Sequence, residues 1–111
     1  MRRVFPNRPI VDIPMDHPVF HVFYDIDELV QVPNVRQGQW APHGGPTHER
    51  DGYYPHARGI FDEDGRLMVL VNWNTDLGDA WEWADDPYYP LKFSTFAYEM
   101  GINFIIYAMS H

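Results

Sequence analysis

Residues 58–72 read RGIFDEDGRLMVLVN. Two apolar runs flank DEDG, and the Asp64–Gly65 pair favours a tight hairpin turn, since glycine takes positive φ at no steric cost. The run 67–71 is nearly continuous in apolar character, which suits a strand covered on both faces. The stretch therefore predicts a β-hairpin, and its second strand runs straight into a polar segment.

Downstream, residues 91–108 predict a helix. Phe93, Phe96, Ala97, Met100, Phe104, Ile105 and Ala108 recur at spacings of three and four, which defines one helical face. Gly101 lies on that face too. A helical glycine costs up to ~1 kcal/mol relative to alanine, so a close helix–sheet approach is its expected use. Ile102, Ile106 and Tyr107 widen the apolar surface, and the helix reads as buried along most of its girth.

Upstream the signals are weaker. PIVDIP (9–14) is a short extended run bracketed by prolines. HPVFHVFYDI (17–26) fits a strand or an irregular segment equally well, and DIDELVQVP (25–33) reads as a helical turn or an edge strand. Residues 33–58 hold four Pro, four Gly and three His. They predict a long surface loop, mobile or functional, such as a lid. At the start, MRRVFP resembles the last turn of a helix whose earlier turns are missing. Met1 then reads as an internal methionine of a longer ancestral protein or as a misplaced start. There is no internal repeat.

The totals narrow the function classes. The chain has 111 residues, 45% hydrophobic and 22% charged, enough for one domain with a modest core. Lys plus Arg number 8 against 16 Asp plus Glu, a formal net charge of −8. This balance argues against nucleic acid and against anionic membrane surfaces, both of which require clustered cations. No apolar run approaches the ~20 residues of a membrane span, and the first residues do not read as a signal peptide. The compartment is left open. Cys is absent, which removes thiolate catalysis, disulfides and cysteine-based zinc sites. No nucleotide-binding motif is present, and a divalent metal remains the one cofactor to weigh.

The polar segment is VNWNTDLGDAWEW (71–83), with two amides, three carboxylates and three indoles. One reading is structural. If Leu77 opens a short helix, Asp76 is its N-cap, Asp79 stands at N3 in an approximate capping box, and Trp81 and Trp83 cover core. The other reading is functional. The segment follows the end of a predicted sheet strand, where α/β proteins bind ligands. Asn72, Asn74, Thr75, Asp76, Asp79 and Glu82 converge there, with Trp73 and Trp81 as walls. A helix N-terminus usually welcomes anions. Three carboxylates with no nearby cation would repel phosphate, leaving cations or neutral hydroxyl-rich molecules, whose C–H faces suit indoles.

His17 adds a polar group outside this segment. With His21 it has the i, i+4 spacing of metal ligands on a helix, although Pro18 disfavours a regular helix there and a satisfied structural histidine is the plainer reading. Asp76, Asp79, His17 and His21 are thus the metal candidates. The alternatives for the acidic Asp25, Asp27 and Glu28, and for DEDG, are a solvated turn and a hairpin turn. His43, His48 and His56 match no zinc spacing.

DHPVFHVFYDIDEL, GRLMVLVNWNTDLGDAWEW and AYEMGINFIIYAMSH together resemble the C-terminal half of a bacterial domain-of-unknown-function family, number 4159. The resemblance spans nearly the whole chain apart from the loop near 38–57. In that family the position of Trp73 is often His, so a ligand or proton carrier would be missing here. The family is grouped with the class I glutamine-amidotransferase-like superfamily. It is more distantly similar to ThuA-like trehalose-utilisation domains, through Asp16-His17-Pro18, Asp27-Glu28 and Gly65-Arg66. The resemblance implies a flavodoxin-like three-layer α/β sandwich and a carbohydrate connection. It also implies an incomplete domain over residues 1–111, lacking the family's first half, whose exposed sheet would be covered by a partner or by self-association. The amidotransferase cysteine nucleophile has no counterpart.

Three functions follow as expectations. The first is an amidotransferase-like domain without glutaminase activity that binds a neutral polar molecule, a carbohydrate or polyol; if it is hydrolytic, one carboxylate activates water. The second is a non-catalytic interaction or structural module. The third is a divalent-metal binder.

Overall fold

The computed structural model describes residues 3–48 and 52–111. Three strands form one antiparallel sheet in the order β1 (Val11–Asp12), β2 (His56–Phe61), β3 (Leu67–Trp73). Three helices join it: α1 (Val35–Trp40), α2 (Leu77–Glu82) and α3 (Leu91–Ser110). The protein is a small mixed α/β domain. The antiparallel sheet replaces the parallel, doubly covered arrangement that a flavodoxin-like sandwich would show.

The predicted hairpin forms β2 and β3. Asp62 N–H donates to Arg66 O (2.9 Å) and Gly65 N–H to Asp62 O (3.1 Å). Gly65 has φ +79°, the left-handed residue that closes a three-residue turn. Ile60 pairs with Val69 but Phe61 with Leu67, so a bulge follows directly,. Asp62 Oδ1 also accepts from the backbone of Asp64 (2.9 Å) and Arg66 (2.8 Å). DEDG is therefore a turn stapled by its first carboxylate. β3 is not covered on both faces: after Leu67, residues 68–72 are half-buried and Trp73 is exposed. β1 adds only two residue pairs, Val11 with Gly59 and Asp12 with Arg58. Gly59 is obligatory here, because a Cβ would stand 2.4 Å from Leu67 Cδ1 and 2.7 Å from Val69 O.

Helix α3 buries Phe93, Phe96, Ala97, Met100, Asn103 and Tyr107. All but the polar Asn103 join Ile13, Val19, Phe20, Ile26, Val32, Leu67, Leu77 and Tyr89 in the hydrophobic core. Ile105 and Ala108, expected on the buried face, are exposed. The apolar surface of α3 is wider than the core it meets, so the helix is not buried around most of its girth. Gly101 does not serve a helix–sheet contact. It admits Trp81 of α2, whose indole carbon would lie 3.1 Å from an added Cβ.

The upstream segments are mostly irregular. Residues 17–26 contain one 3-10 turn, Pro18–Phe20, and 25–33 carry no regular element. The predicted long loop contains α1 and a second 3-10 turn, Ala41–His43. Its residues 49–51, like Met1 and Arg2 of the predicted helix end, lie outside the described residues; Arg3 and Val4 stand in a turn. Among the described residues no helix is long and apolar enough to cross a membrane.

Candidate functional site

The junction between β3 and α2 is built on an unusual backbone. Asn74 has φ +58°, a conformation that non-glycine residues adopt rarely and asparagine more readily than most. Its Nδ2 donates to Tyr54 O (2.8 Å). This bend turns the chain off the sheet and sets residues 74–76 alongside 31–32. Thr75 Oγ1 accepts from Val32 N–H (2.7 Å), and Asp76 N–H donates to Val32 O (2.7 Å). Gln31 ties in the long loop. Its Nε2 donates to Gly52 O (2.7 Å) and Asn74 O (3.0 Å), and its Oε1 accepts from the Thr47 hydroxyl (2.7 Å).

These ties enclose a cavity of about 250 Å³ lined by Val32, Pro33, Thr47, Gly52, Asn74, Thr75 and Asp76. Of the residues singled out in the sequence, Asn74, Thr75 and Asp76 line it. The walls from Val32, Pro33, Thr47 and Gly52 were missed. They lie 22 to 44 residues upstream in sequence, and Gln31, which links them, looks in the sequence like any surface glutamine.

The carboxylates divide rather than converge. Asp76 is the N-cap of α2, its Oδ1 accepting from Asp79 N–H (2.9 Å). Asp79 is at N3 but does not complete the capping box. Its Oδ2 reaches Val35 N–H, the first amide of α1 (2.9 Å), so one carboxylate joins the starts of two short helices. Glu82 is exposed at the end of α2. Both aspartates act on Tyr89, a buried residue whose hydroxyl donates to Pro33 O (2.8 Å). Burial pushes its phenol well above the ordinary value, and Asp76 and then Asp79 push it further. It therefore stays a neutral donor that fixes the cavity's Pro33 wall. Asp76→Ala is expected to destabilise the fold by ~0.5–2 kcal/mol, the usual loss of an N-cap, whereas Asp76→Asn keeps the acceptor and most of the stability. Thermal midpoints of the two variants measure the difference.

The indoles also separate. Trp73 ends β3, exposed, with the Arg58 guanidinium 4.9 Å from its ring centre. Trp81 donates its indole N–H to Ala97 O of α3 (2.8 Å). Trp83 is exposed just after α2. Asn72 is half-buried on β3, opposite Ala57. None of these four lines the cavity.

His17 and His21 flank the 3-10 turn. His17 Nδ1 accepts from Val19 N–H (3.1 Å) and its ring packs 5.5 Å from Phe61 and 5.4 Å from Tyr107. His21 uses both nitrogens, Nδ1 with Asp25 (3.1 Å) and Nε2 with Met15 O (2.7 Å). Among the described residues no group of three or more His, Asp or Glu side chains is placed to hold a metal. The pKa values of the two rings are displaced in opposite directions. Burial, then His111, lowers the pKa of His17 below 6.5. The Met15 carbonyl, then Asp25, raises that of His21 above 6.5. A raised folded pKa gives stability that is present below 6.5 and lost as pH rises through the folded value; a lowered one gives stability lost as pH falls below 6.5,. An NMR titration is expected to place the His21 midpoint above the His17 midpoint.

Fold and site thus define a small antiparallel α/β domain with a polar cavity where a strand hands over to a capped helix. A family model described as "Domain of unknown function (DUF4159)" matches residues 1–109, and the chain belongs to that family. No curated protein and no solved structure matches it significantly.

Proposed function

We propose that the domain binds a small neutral polyol or carbohydrate in the cavity beside Asn74 and Thr75. The observation that carries this reading is the state of the polar groups around it. Most of their donors are committed: the Thr47 hydroxyl to Gln31, the Thr75 hydroxyl to Val32 O, one Asn74 amide N–H to Tyr54 O, and the Asp76 backbone N–H to Val32 O. Threonine oxygens and the Asn74 side-chain oxygen present acceptor character, so the complementary guest is one rich in donors. The Asp76 carboxylate at the wall opposes anionic guests. A volume of about 250 Å³ lies just under the ~300 Å³ at which drug-sized sites begin, which suits a molecule no larger than one sugar ring. The resemblance to amidotransferase-like and trehalose-utilisation domains agrees with this reading. Glutaminase chemistry is left out of it because the chain has no thiol.

Thermal midpoints in the presence of polyols and monosaccharides, set against their phosphate esters, test the proposal. A ligand at about 100 times its Kd adds ~2.7 kcal/mol, so a rise of several degrees is expected with neutral compounds and none with the esters. Thr47→Val should remove the rise while leaving the unliganded midpoint within a few degrees. Equal protection by esters, or no protection by any neutral compound, would overturn it.

A second reading, a non-catalytic structural module, is favoured by one observation. Asp76 and Asp79 are both engaged with helix-start amides, and capping alone accounts for their presence.

A further inference from the structure

Helix α3 turns Phe93, Ala97, Met100 and Tyr107 into the core. At about 100° per residue, Leu91, Thr95, Tyr98, Ile102, Ile105 and Met109 fall on the opposite side, alternately four and three residues apart. A surface helix ordinarily carries polar residues there. Instead Leu91 is 74%, Tyr98 49%, Ile105 61% and Met109 83% exposed. An alternating four-and-three spacing is the mark of a seam that faces another helix.

The two flanks of this seam differ. On one side lies a hollow of about 370 Å³ walled by Trp81, Gly101, Ile102, Phe104 and Ile105, with Tyr98 at its edge. The absent Gly101 side chain is what leaves room beside the Trp81 indole. On the other side a groove of about 400 Å³ has Ile26, Val30, Leu91 and Phe96 among its apolar walls, with Asp25, Asp27, Glu28 and Glu99 beside them. Lys92 is its sole cationic side chain among the described residues.

We propose that this face of α3 docks an amphipathic helix of a partner protein, one that carries an apolar stripe and, along one edge, lysine or arginine. The stripe lies over the seam and fills the hollow beside Trp81, and the basic edge meets Asp27, Glu28 and Glu99. Charge selects the occupant. A second copy of this chain would bring the same carboxylates and a net charge of −8, placing like charges together at the rim, which disfavours that pairing.

Two synthetic helices of about 20 residues, the length of α3, serve as probes. Both carry leucines at the seam spacing; one has lysine and arginine along an edge, the other glutamate. Titration calorimetry is expected to show binding of the basic peptide at least about tenfold tighter than that of the acidic one, weakening with added salt. Ile105→Glu, at an exposed position that leaves the fold intact by circular dichroism, should weaken it about tenfold or more. Asp27→Lys with Glu28→Lys, also on the surface, should remove the preference for the basic peptide. Equal affinity for the two peptides, or binding of neither, overturns the proposal. So does sedimentation showing a dimer of the domain that Ile105→Glu dissociates, since a second copy would then be the occupant.

Discussion

Replacing Asn103 by leucine is expected to lower stability by about 2–4 kcal/mol, although leucine is close to it in size and more apolar. Asn103 is fully buried on α3. Its Oδ1 accepts from Tyr24 N–H (2.9 Å) and its Nδ2 donates to Tyr24 O (2.9 Å). One side-chain amide thus satisfies both backbone groups of a residue in a segment with no ladder of its own. Leucine would leave an N–H and a C=O unpaired, each costing ~1–3 kcal/mol, offset in part by hydrophobic gain. In a domain this size the loss reads as a thermal midpoint lowered by roughly 8 °C or more. The consequence reaches the cavity, because residues 21–32 lead from this anchor to Gln31 and Val32. A leucine variant that melts with the parent would show that Tyr24 finds other partners and that Asn103 is dispensable.

Gly38→Ala is the second substitution with a large expected effect. A Cβ at position 38 would stand 2.3 Å from Tyr89 Cε2 and 2.6 Å from Cδ2. An exposed helical glycine normally gains stability on becoming alanine. Here the ring is buried and its hydroxyl is held by Pro33 O at 2.8 Å, so it has little room to swing aside. Helix α1 must lift instead, at ~1–3 kcal/mol for overpacking. That movement strains the Asp79–Val35 contact and shifts the Pro33 wall. Denaturant midpoints should fall, and protection by any polyol that binds the parent should fall with them. A stabilised Gly38→Ala variant would mean that α1 slides freely over Tyr89.

The parts of this fold legible in the sequence are those whose cause is local. The hairpin follows from Gly65 at positive φ between two apolar runs. The long helix follows from the spacing of Phe93, Phe96, Ala97 and Met100. The cap at Asp76 was visible as an aspartate before Leu77 with another three residues on. What was hidden depends on distant partners. α1 has six residues with a glycine inside, too short for periodicity to show, and its start is held by Asp79, 44 positions later. The cavity joins residues 31–33, Thr47, Gly52 and residues 74–76 through Gln31, and no spacing rule connects them. The crowd of carboxylates and indoles at 72–83 was misleading as a single site for a geometric reason. The helical turn after Asp76 sends Trp81 to α3 and Glu82 to solvent, while strand alternation leaves Trp73 over Arg58. Only Asn74, Thr75 and Asp76, at the bend itself, face the cavity. The unpaired width of α3 was written in Leu91, Tyr98, Ile105 and Met109, but apolarity alone does not say whether a side chain faces its own core.

The cavity shaped by the bend at Asn74 is proposed to take donor-rich neutral molecules. Amide chemical-shift mapping during titration with a neutral monosaccharide or polyol, and in parallel with its phosphate ester, tests it most directly. Saturable shifts are expected at Thr47, Asn74, Thr75 and Val32 with the neutral compound alone, and none along the outer face of α3. Shifts confined to the ester, or centred on Trp73 and Trp81 with the cavity residues unmoved, would contradict it.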